Sequence, residues 1–189
     1  MENTEDPRER IALLEQEIRN ITGTFYFQAL LADYEYEAHK LVDLGHPITP
    51  DILSKIIENL FDKYYGNEIE KDELIYILWS RVPHFFNSPF YVYQYSTCFA
   101  SSAILYEKVV KEKDEEKRKK SLNKYIELLS SGGSDFPMNQ LKKAGVDLEE
   151  KNTIKAVSKQ LDRLLDKLEE EIGKMKDREG VTDEYKRKN

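Results

Sequence analysis

Three helix start signals constrain the fold of this sequence more than any other feature. Asp6–Pro7, Thr49–Pro50 and Ser88–Pro89 each place a capping side chain directly before a proline. Such a side chain accepts hydrogen bonds from the open N–H groups at a helix start, and proline suits the first helical position. After the first signal, apolar residues recur at three- and four-residue spacing from Ile11 to Phe25, whereas strand-like alternation is almost absent. The sequence therefore predicts an all-α fold, a multi-helix bundle.

Helix boundaries follow from the same signals. The first helix begins after Asp6, is loosened locally at Gly23 and ends near Gly45, and the second runs from Pro50 to about Gly66. A shorter third helix lies in KDELIYILWSRV and stops before a proline. Further helices are predicted at about 89–112, 115–130, 137–144 and 150–177. We expect one domain over 1–176 and a tail over 177–189 that frays, because its apolar periodicity is lost.

Charge and cysteine content argue against several classes of partner. The 189 residues carry a formal net charge of −7, whereas nucleic acids and anionic lipid surfaces are bound by cationic faces. No stretch approaches the roughly 18 consecutive apolar residues of a membrane-spanning helix, and MENTEDPRER at the start has no apolar run typical of a signal peptide. Cys98 is the single cysteine, which favours a reducing compartment. We expect a cytoplasmic protein with no nucleic-acid and no membrane partner.

The histidines do not form a pattern that holds a metal ion. None of His39, His46 and His84 begins an HExxH motif, and no two of them lie four residues apart on one helix face. Glu35 and His39 are four apart and share a face, but this is not the Glu-x-x-His spacing of di-metal helix bundles. We predict that the chain itself holds no metal, that His39 is salt-bridged or caps a helix, and that His46 is a surface residue.

Two further stretches are given structural interpretations. Cys98 lies in the small-residue run STCFASS with no histidine near it in sequence, so a buried structural thiol is favoured over a nucleophile. The segment SSGGSDFP lacks the lysine of a phosphate-binding loop. It is expected to form a tight turn between helices, with Ser134 or Asp135 capping the helix that Pro137 begins.

The stretch HFFNSPFYVYQYSTCF, residues 84–99, concentrates seven aromatic rings and a histidine in sixteen residues. If it is helical from Pro89, then Tyr91, Tyr95 and Cys98 form one stripe and Phe90 and Tyr93 another. Two aromatic faces favour a central helix that is packed on most sides. Alternatively, the tyrosine hydroxyls and the nearby histidine point into a cleft and bind peptide carbonyls, since buried phenols need hydrogen-bond partners. The residues alone leave both interpretations open.

Several segments resemble, in this order, the C-terminal part of oligoendopeptidase F. They are GTFYFQALLADYEYEAH, YYGNEIEKDEL, WSRVPHFFNSPFYVYQYSTCFASSA and YIELLSSGGSDFPMNQLKKAGVDL, and the match extends over about 3–168. That enzyme is a zinc metallopeptidase of the thimet-oligopeptidase-like family. The resemblance implies the C-terminal helical portion of a zincin-type oligopeptidase, which hydrolyses short peptides in a deep channel with zinc held by HExxH. Because this chain has no HExxH, we expect the family's zinc to be held outside it and the chain alone to be inactive.

The resemblance also implies roles for individual residues. His84 matches the substrate-side histidine, Tyr93 matches the transition-state tyrosine, and Tyr91 lies close by. Their role is hydrogen-bond donation to the developing oxyanion. The turn expected to flank the substrate channel consists of Gly132, Gly133 and Ser134.

The remaining residues of the aromatic stretch are assigned to packing. Tyr95, Cys98 and Phe99 are expected on the packing side, and Ser96 stands where the resemblance suggests an alanine, a change that should be tolerated. An alternative of a different class is a non-catalytic helical interaction module, which would form a homo-oligomer through exposed apolar surface.

Overall fold

The computed structural model of the chain describes residues 4, 6–66 and 68–187, with the backbone alone for 176–187. All regular elements in these ranges are helical, in agreement with the predicted all-α fold. The α-helices are α1 (Pro7–Ile21), α2 (Phe27–Asp43), α3 (Pro50–Tyr65), α4 (Glu73–Tyr76), α5 (His84–Asn87), α6 (Tyr93–Tyr106), α7 (Glu115–Ser130), α8 (Pro137–Lys143) and α9 (Lys151–Arg187). Two π-helical segments (Thr22–Tyr26 and Glu107–Lys111) and one 3-10 helix (Leu78–Arg81) complete them.

The chain forms two compact units. Unit 1 comprises Met1–Thr22 and Phe99–Asn189, and unit 2 comprises Gly23–Cys98. Helix α6 contributes residues to both units. The expected single domain over 1–176 stays a prediction.

Local capping chemistry starts α1 and α3, which correspond to the first and second predicted helices, as the sequence indicated. The Asp6 carboxylate accepts a hydrogen bond from the backbone N–H of Arg8 at 2.9 Å, and Pro7 opens α1. The Thr49 hydroxyl accepts from the backbone N–H of Ile52 at 3.3 Å, and Pro50 opens α3. Both caps depend on residues within three positions of the helix start, which is why the sequence alone reveals them.

The core of unit 2 lies between α2 and α3. Its buried members are Leu30, Leu31, Tyr34, Ile57, Leu60, Phe61 and Val92. Burial raises the pKa of the Tyr34 phenol, because the phenolate would lose its hydration there. Phe85 and Trp79 are partly buried against this core, and the Trp79 indole donates to the hydroxyl of Ser54 at 3.2 Å. These contacts fix the segment that leads into the aromatic stretch.

A π-helical segment joins α1 to α2 and includes Gly23, the residue predicted to loosen the first helix. A π segment adds one residue to a helical turn. Here the buried Ser96 hydroxyl donates to the backbone carbonyl of Phe25 at 2.9 Å. This bond attaches the start of α6 to the segment within unit 2.

In unit 1, α1 packs along α9. Leu14, Val157 and Leu164 are buried, and Arg10 forms an ion pair with the largely buried Glu171 at 3.2 Å. Lys174, and then Arg10, hold the pKa of the Glu171 carboxyl below its usual value. The contact therefore combines an apolar seam with a charged pair that crosses it.

The helix predicted from about Pro89 to Glu112 is wrong at its start. Residues 84–87 form the single turn α5, 88–92 form turns, and α6 begins only at Tyr93. Phe90 has φ of +58°, outside the helical region, and its N–H donates to the Glu35 carboxylate at 2.6 Å. Ser88 and Pro89 are a local start signal, but this contact with α2 holds Phe90 in a non-helical conformation. The helix therefore begins only after Phe90.

The other boundaries differ less. The predicted third helix is divided into α4 and the 3-10 helix, and the last helix continues from Lys151 to Arg187. Positions 188–189 of the predicted tail lie outside the described residues, and its fraying stays a prediction. Along the described helices, none is long and apolar enough to cross a membrane.

Candidate functional site

Three rings of unit 2 form a contiguous group, which we call the ring cluster: His84, Tyr91 and Tyr95. The imidazole of His84 stacks on the Tyr91 ring with centroids 5.1 Å apart and planes within 10°. The Tyr95 ring stands edge-on to both, 6.2 Å from His84 and 5.4 Å from Tyr91. The structure therefore brings together two of the three predicted catalytic residues, His84 and Tyr91.

Helix α5 places His84 through its neighbour in sequence. Phe85 is packed against the core of unit 2 and contacts the buried Tyr34 ring at 4.8 Å between centroids. Because successive residues of a helical turn point about 100° apart, burial of Phe85 leaves the half-buried His84 at the edge of the core. The imidazole can thus face another ring on one side and solvent on the other.

Tyr91 is placed by the residues on either side of it. Val92 is 1% exposed and belongs to the core of unit 2. Phe90 is held on α2, where its N–H donates to Glu35 and its ring packs on His39 at 4.6 Å between centroids. Phe90 and Val92 therefore anchor the chain on both sides of the exposed Tyr91 and fix its backbone.

Tyr95 belongs to the ring cluster, although it was expected from the sequence to lie on the packing side of the helix. Its side chain is exposed, and a hydrogen bond with Tyr91, together with desolvation, raises the pKa of the Tyr95 phenol. The packing side of α6 instead consists of Ser96, Ala100 and Ala103, all buried at helical spacing. The shared stripe of Tyr91 and Tyr95 in the sequence was the signal that could have identified Tyr95.

Two related expectations for this helix are also corrected. Cys98 is exposed rather than buried, because it lies on the Tyr95 side of α6 and not on the side of Ser96. Phe99 is only half-buried. The expectation of a helix packed on most sides is therefore wrong for its first two turns.

Tyr93, the predicted transition-state residue, opens α6 and is 49% exposed. Its ring is not a member of the ring cluster, and its backbone carbonyl accepts a hydrogen bond from the Thr97 hydroxyl at 3.3 Å. Because the Tyr93 side chain is exposed, its phenol is accessible to a ligand. Val92 directly before it is buried and anchors the backbone. The catalytic roles of His84, Tyr91 and Tyr93 stay predictions.

The residues that the structure describes do not fit a zinc site. No group of three or more His, Cys, Asp or Glu side chains in that part of the chain is placed to hold a metal ion. His39 packs on Phe90, where a salt bridge or a capping role was expected, and His84 packs on Tyr91. His46 is exposed, as predicted. That the chain itself holds no metal ion stays a prediction.

The turn with Gly132, Gly133 and Ser134 belongs to unit 1. Gly132 has φ of +52°, which only glycine adopts without strain, and its carbonyl accepts from the Gln140 side chain at 2.9 Å. A cavity of about 150 Å³ is lined by Ser131, Ser134 and residues of α7 and α8. The predicted tight turn is thus present, and its proximity to a substrate channel stays a prediction.

The expected cap of α8 is displaced by one residue. Phe136 occupies the capping position without a side-chain hydrogen bond. Asp135 accepts instead from the N–H of Phe136 at 2.8 Å and from the Asn139 side chain at 3.0 Å. Lys143, with these two donors, lowers the pKa of the Asp135 carboxyl to about 2.

The sequence of the chain matches a known protein family. The sequence pattern described as peptidase family M3 matches residues 2–160. The chain belongs to peptidase family M3. Oligopeptidase PepF of Bacillus subtilis is 34% identical to this M3 chain over 176 residues, which are 93% of the chain and 25% of the relative.

Solved structures agree with the M3 assignment. The crystal structure of oligoendopeptidase-F from Enterococcus faecium matches with a TM-score of 0.82 and 35% identity, over 92% of this chain and 32% of that one. A putative peptidase from Chlamydophila abortus matches with a TM-score of 0.80 and 34% identity, over 90% of this chain and 28% of that one. The predicted resemblance to oligoendopeptidase F is confirmed, and the chain spans about a quarter to a third of the length of these proteins.

Proposed function

We propose that this chain forms the substrate-side wall of a zinc metalloendopeptidase site that hydrolyses short peptides. The observation that carries the proposal is the ring cluster, in which Tyr91 and Tyr95 are exposed and His84 is half-buried, while their neighbours Phe85, Phe90 and Val92 are anchored. An enzyme that stabilises an oxyanion needs donors whose positions are fixed before the reaction. The names of the relatives, oligopeptidase and oligoendopeptidase, support short peptides as the substrate class.

In this proposal His84, Tyr91 and Tyr93 donate hydrogen bonds to the peptide carbonyl as negative charge develops on its oxygen. One such preorganised donor contributes about 3–4 kcal/mol to stabilisation of the transition state. The exposed Tyr95 completes the wall by holding the Tyr91 ring edge-on. Gly132, Gly133 and Ser134 are proposed to contact the peptide backbone.

The zinc of the proposed enzyme supplies an activated water molecule and polarises the scissile carbonyl when it is bound. The described residues of this chain offer no ligand set for it, so the proposal assigns the zinc ligands to the part of the family's length that this chain does not span. The chain alone is therefore proposed to be inactive. The single cysteine supports the cytoplasmic location that we propose for it.

The first experiment measures the isolated chain. It is incubated with a quenched fluorescent peptide of about eight residues, with and without added zinc, and its zinc content is measured by elemental analysis. We expect less than about 0.1 zinc per chain and no hydrolysis above the buffer rate. Stoichiometric zinc, or hydrolysis that EDTA abolishes, would contradict the claim that the chain is inactive alone.

The second experiment tests the wall in a complete enzyme. The matching 176-residue segment of the Bacillus subtilis oligopeptidase is replaced by this chain, and kcat and KM are measured for the chimaera. We expect Tyr93→Phe to lower kcat about 100- to 1000-fold with little change in KM, since the lost bond is made in the transition state. Tyr36→Phe, at an exposed position of α2, is the matched control and should leave kcat unchanged. Equal kcat for both variants would remove Tyr93 from this role.

A second candidate function is a non-catalytic helical module that self-associates. It is favoured by an apolar stripe on α7, where Leu122, Ile126 and Leu129 are exposed at helical spacing, and by the exposed Phe136. We expect a concentration-dependent rise in mass by light scattering if this function holds, and Leu129→Glu should abolish the rise. A monomer at all concentrations that binds no apolar dye would exclude it.

A further inference from the structure

We infer that Glu35 is a positioning residue for the candidate site: its buried carboxylate holds the Phe90 backbone and thereby keeps Tyr91 stacked on His84. This inference rests on the proposed function for its catalytic consequence. The expected effect of Glu35 on the geometry of the ring cluster does not depend on the proposed function, because all the residues involved lie in this chain. Glu35 is neither part of the ring cluster nor one of the residues assigned a role from the sequence.

The first step is that Glu35 is a buried carboxylate with a specific hydrogen-bond partner. It is 4% exposed on α2 and directly follows Tyr34, a member of the core of unit 2. A carboxylate is almost never buried unless it is paired or hydrogen-bonded, because it loses its hydration. Its Oε1 accepts from the N–H of Phe90 at 2.6 Å, across 55 residues of sequence. This short bond between a charged acceptor and a backbone donor is of the strong class.

The second step is the conformation that this bond maintains. Phe90 has φ of +58°, the left-handed region that a bulky residue avoids. Such a conformation persists only where surrounding contacts impose it. Glu35 supplies one contact, and His39, one helical turn further along α2, supplies another by packing on the Phe90 ring at 4.6 Å. Helix α2 therefore holds both the backbone and the ring of Phe90.

The third step connects Phe90 to the site. Tyr91 follows directly, and Val92 after it is fixed in the core at 1% exposure. With the chain held on both sides, the Tyr91 ring lies parallel to His84 at 5.1 Å. Loss of the Glu35 contact would let Phe90 return to negative φ, and the direction of the next side chain would change with it.

This arrangement makes Glu35 a positioning group and not a catalytic one. Its Oε1 is occupied by the Phe90 N–H, and the side chain is buried. It acts through the backbone of the residue before Tyr91. Removing it should therefore change the ring cluster while the rest of unit 2 stays folded.

The structural test uses NMR on the full chain. In the wild type we expect a strong nuclear Overhauser effect between the His84 and Tyr91 rings, and hydrogen exchange of the Phe90 amide at least about 100-fold slower than in an unfolded peptide. Glu35→Met removes the acceptor at similar side-chain length, so it should lose more than half of the Overhauser effect and shift the Phe90 amide. The matched control is Glu37→Met, two residues along α2, where a partly exposed carboxylate pairs with Lys40 at 3.6 Å; it should change neither signal.

Rescue by glycine separates positioning from general destabilisation. Glycine adopts positive φ without steric cost, so Phe90→Gly in the Glu35→Met background should recover part of the Overhauser effect. An unchanged Overhauser effect and Phe90 amide in Glu35→Met would overturn the inference. If Glu35→Met does not fold, the wild-type measurement decides, because a Phe90 amide that exchanges at the unfolded rate also overturns it.

The catalytic test uses the chimaera described above. We expect Glu35→Met to lower kcat by about 10- to 100-fold, since displacement of a positioned group by about 1 Å costs up to that much, and Phe90→Gly to restore part of the loss. If Tyr91→Phe and Tyr93→Phe leave kcat unchanged while the Overhauser effect depends on Glu35, the proposed function fails and the positioning inference holds. If the Overhauser effect is independent of Glu35, the inference fails whatever the chimaera does.

Discussion

Val92 is the residue whose replacement tests most directly how the core of unit 2 supports the exposed tyrosines. It is 1% exposed and lies between Tyr91 and Tyr93. Val92→Ala removes two buried methyl groups, worth about 0.8 kcal/mol each in transfer free energy, and the cavity left behind adds up to about 1 kcal/mol. We therefore expect the free energy of unfolding of unit 2 to fall by about 1.6–2.6 kcal/mol.

The matched control is Val42→Ala, the same substitution at a position of α2 that is 57% exposed. Alanine has the higher helix propensity, so this variant should change stability by less than about 0.5 kcal/mol. Urea unfolding is followed by the fluorescence of Trp79, the single tryptophan, which packs on the core of unit 2. With a urea m-value of about 2 kcal/mol/M, Val92→Ala should lower the midpoint by about 1 M. A midpoint equal to that of Val42→Ala would refute the reasoning.

Three further predictions concern single side chains. Ser96→Ala loses a buried hydrogen bond and should destabilise unit 2 by about 1 kcal/mol in the same urea assay, whereas Ser80→Ala, at an exposed local bond, should change it by less than half of that. Because Lys143 and its neighbours lower the pKa of Asp135 to about 2, its stabilising effect is complete above about pH 4 and is lost as pH falls towards 2. Asp135→Asn should therefore lower Tm at pH 6 but not at pH 2, and an equal difference at both would exclude this. The exposed Cys98 should react with Ellman's reagent in the folded chain, and reaction only in urea would contradict its placement.

Sequence information was sufficient wherever the determining contact is local. The caps at Asp6 and Thr49 act on N–H groups two or three residues away, and Gly23 lies within the π segment that interrupts the first long helix. Both caps are decided by neighbours in the sequence, so capping rules describe them, and Gly23 marks the interruption through its own low helix propensity. The family was also recognisable from the sequence, since ordered motifs extend over most of the chain.

Sequence information failed where a distant group decides the local conformation. Ser88 and Pro89 carry the same start signal as Thr49 and Pro50, yet no helix begins there. Glu35, 55 residues before Phe90, takes the N–H that a helix would have left open and supports a positive φ. No local rule anticipates this contact, although the four-residue spacing of Glu35 and His39 had indicated that both side chains share one face of α2.

The structure divides the aromatic stretch into packed residues and exposed residues, and whether the exposed ones bind peptide stays a prediction. Phe85, Val92 and Ser96 pack inwards, as expected for a core segment, whereas His84 and the exposed tyrosines contact one another. From the sequence, we expected both aromatic faces of the helix to pack against other helices. Rings that stack on each other bury part of their own apolar surface and leave their hydroxyl groups accessible, so a second covering element is not required. An exposed cluster built on buried anchors is what a rigid substrate wall requires, because donors that are fixed before binding need no reorganisation in the transition state.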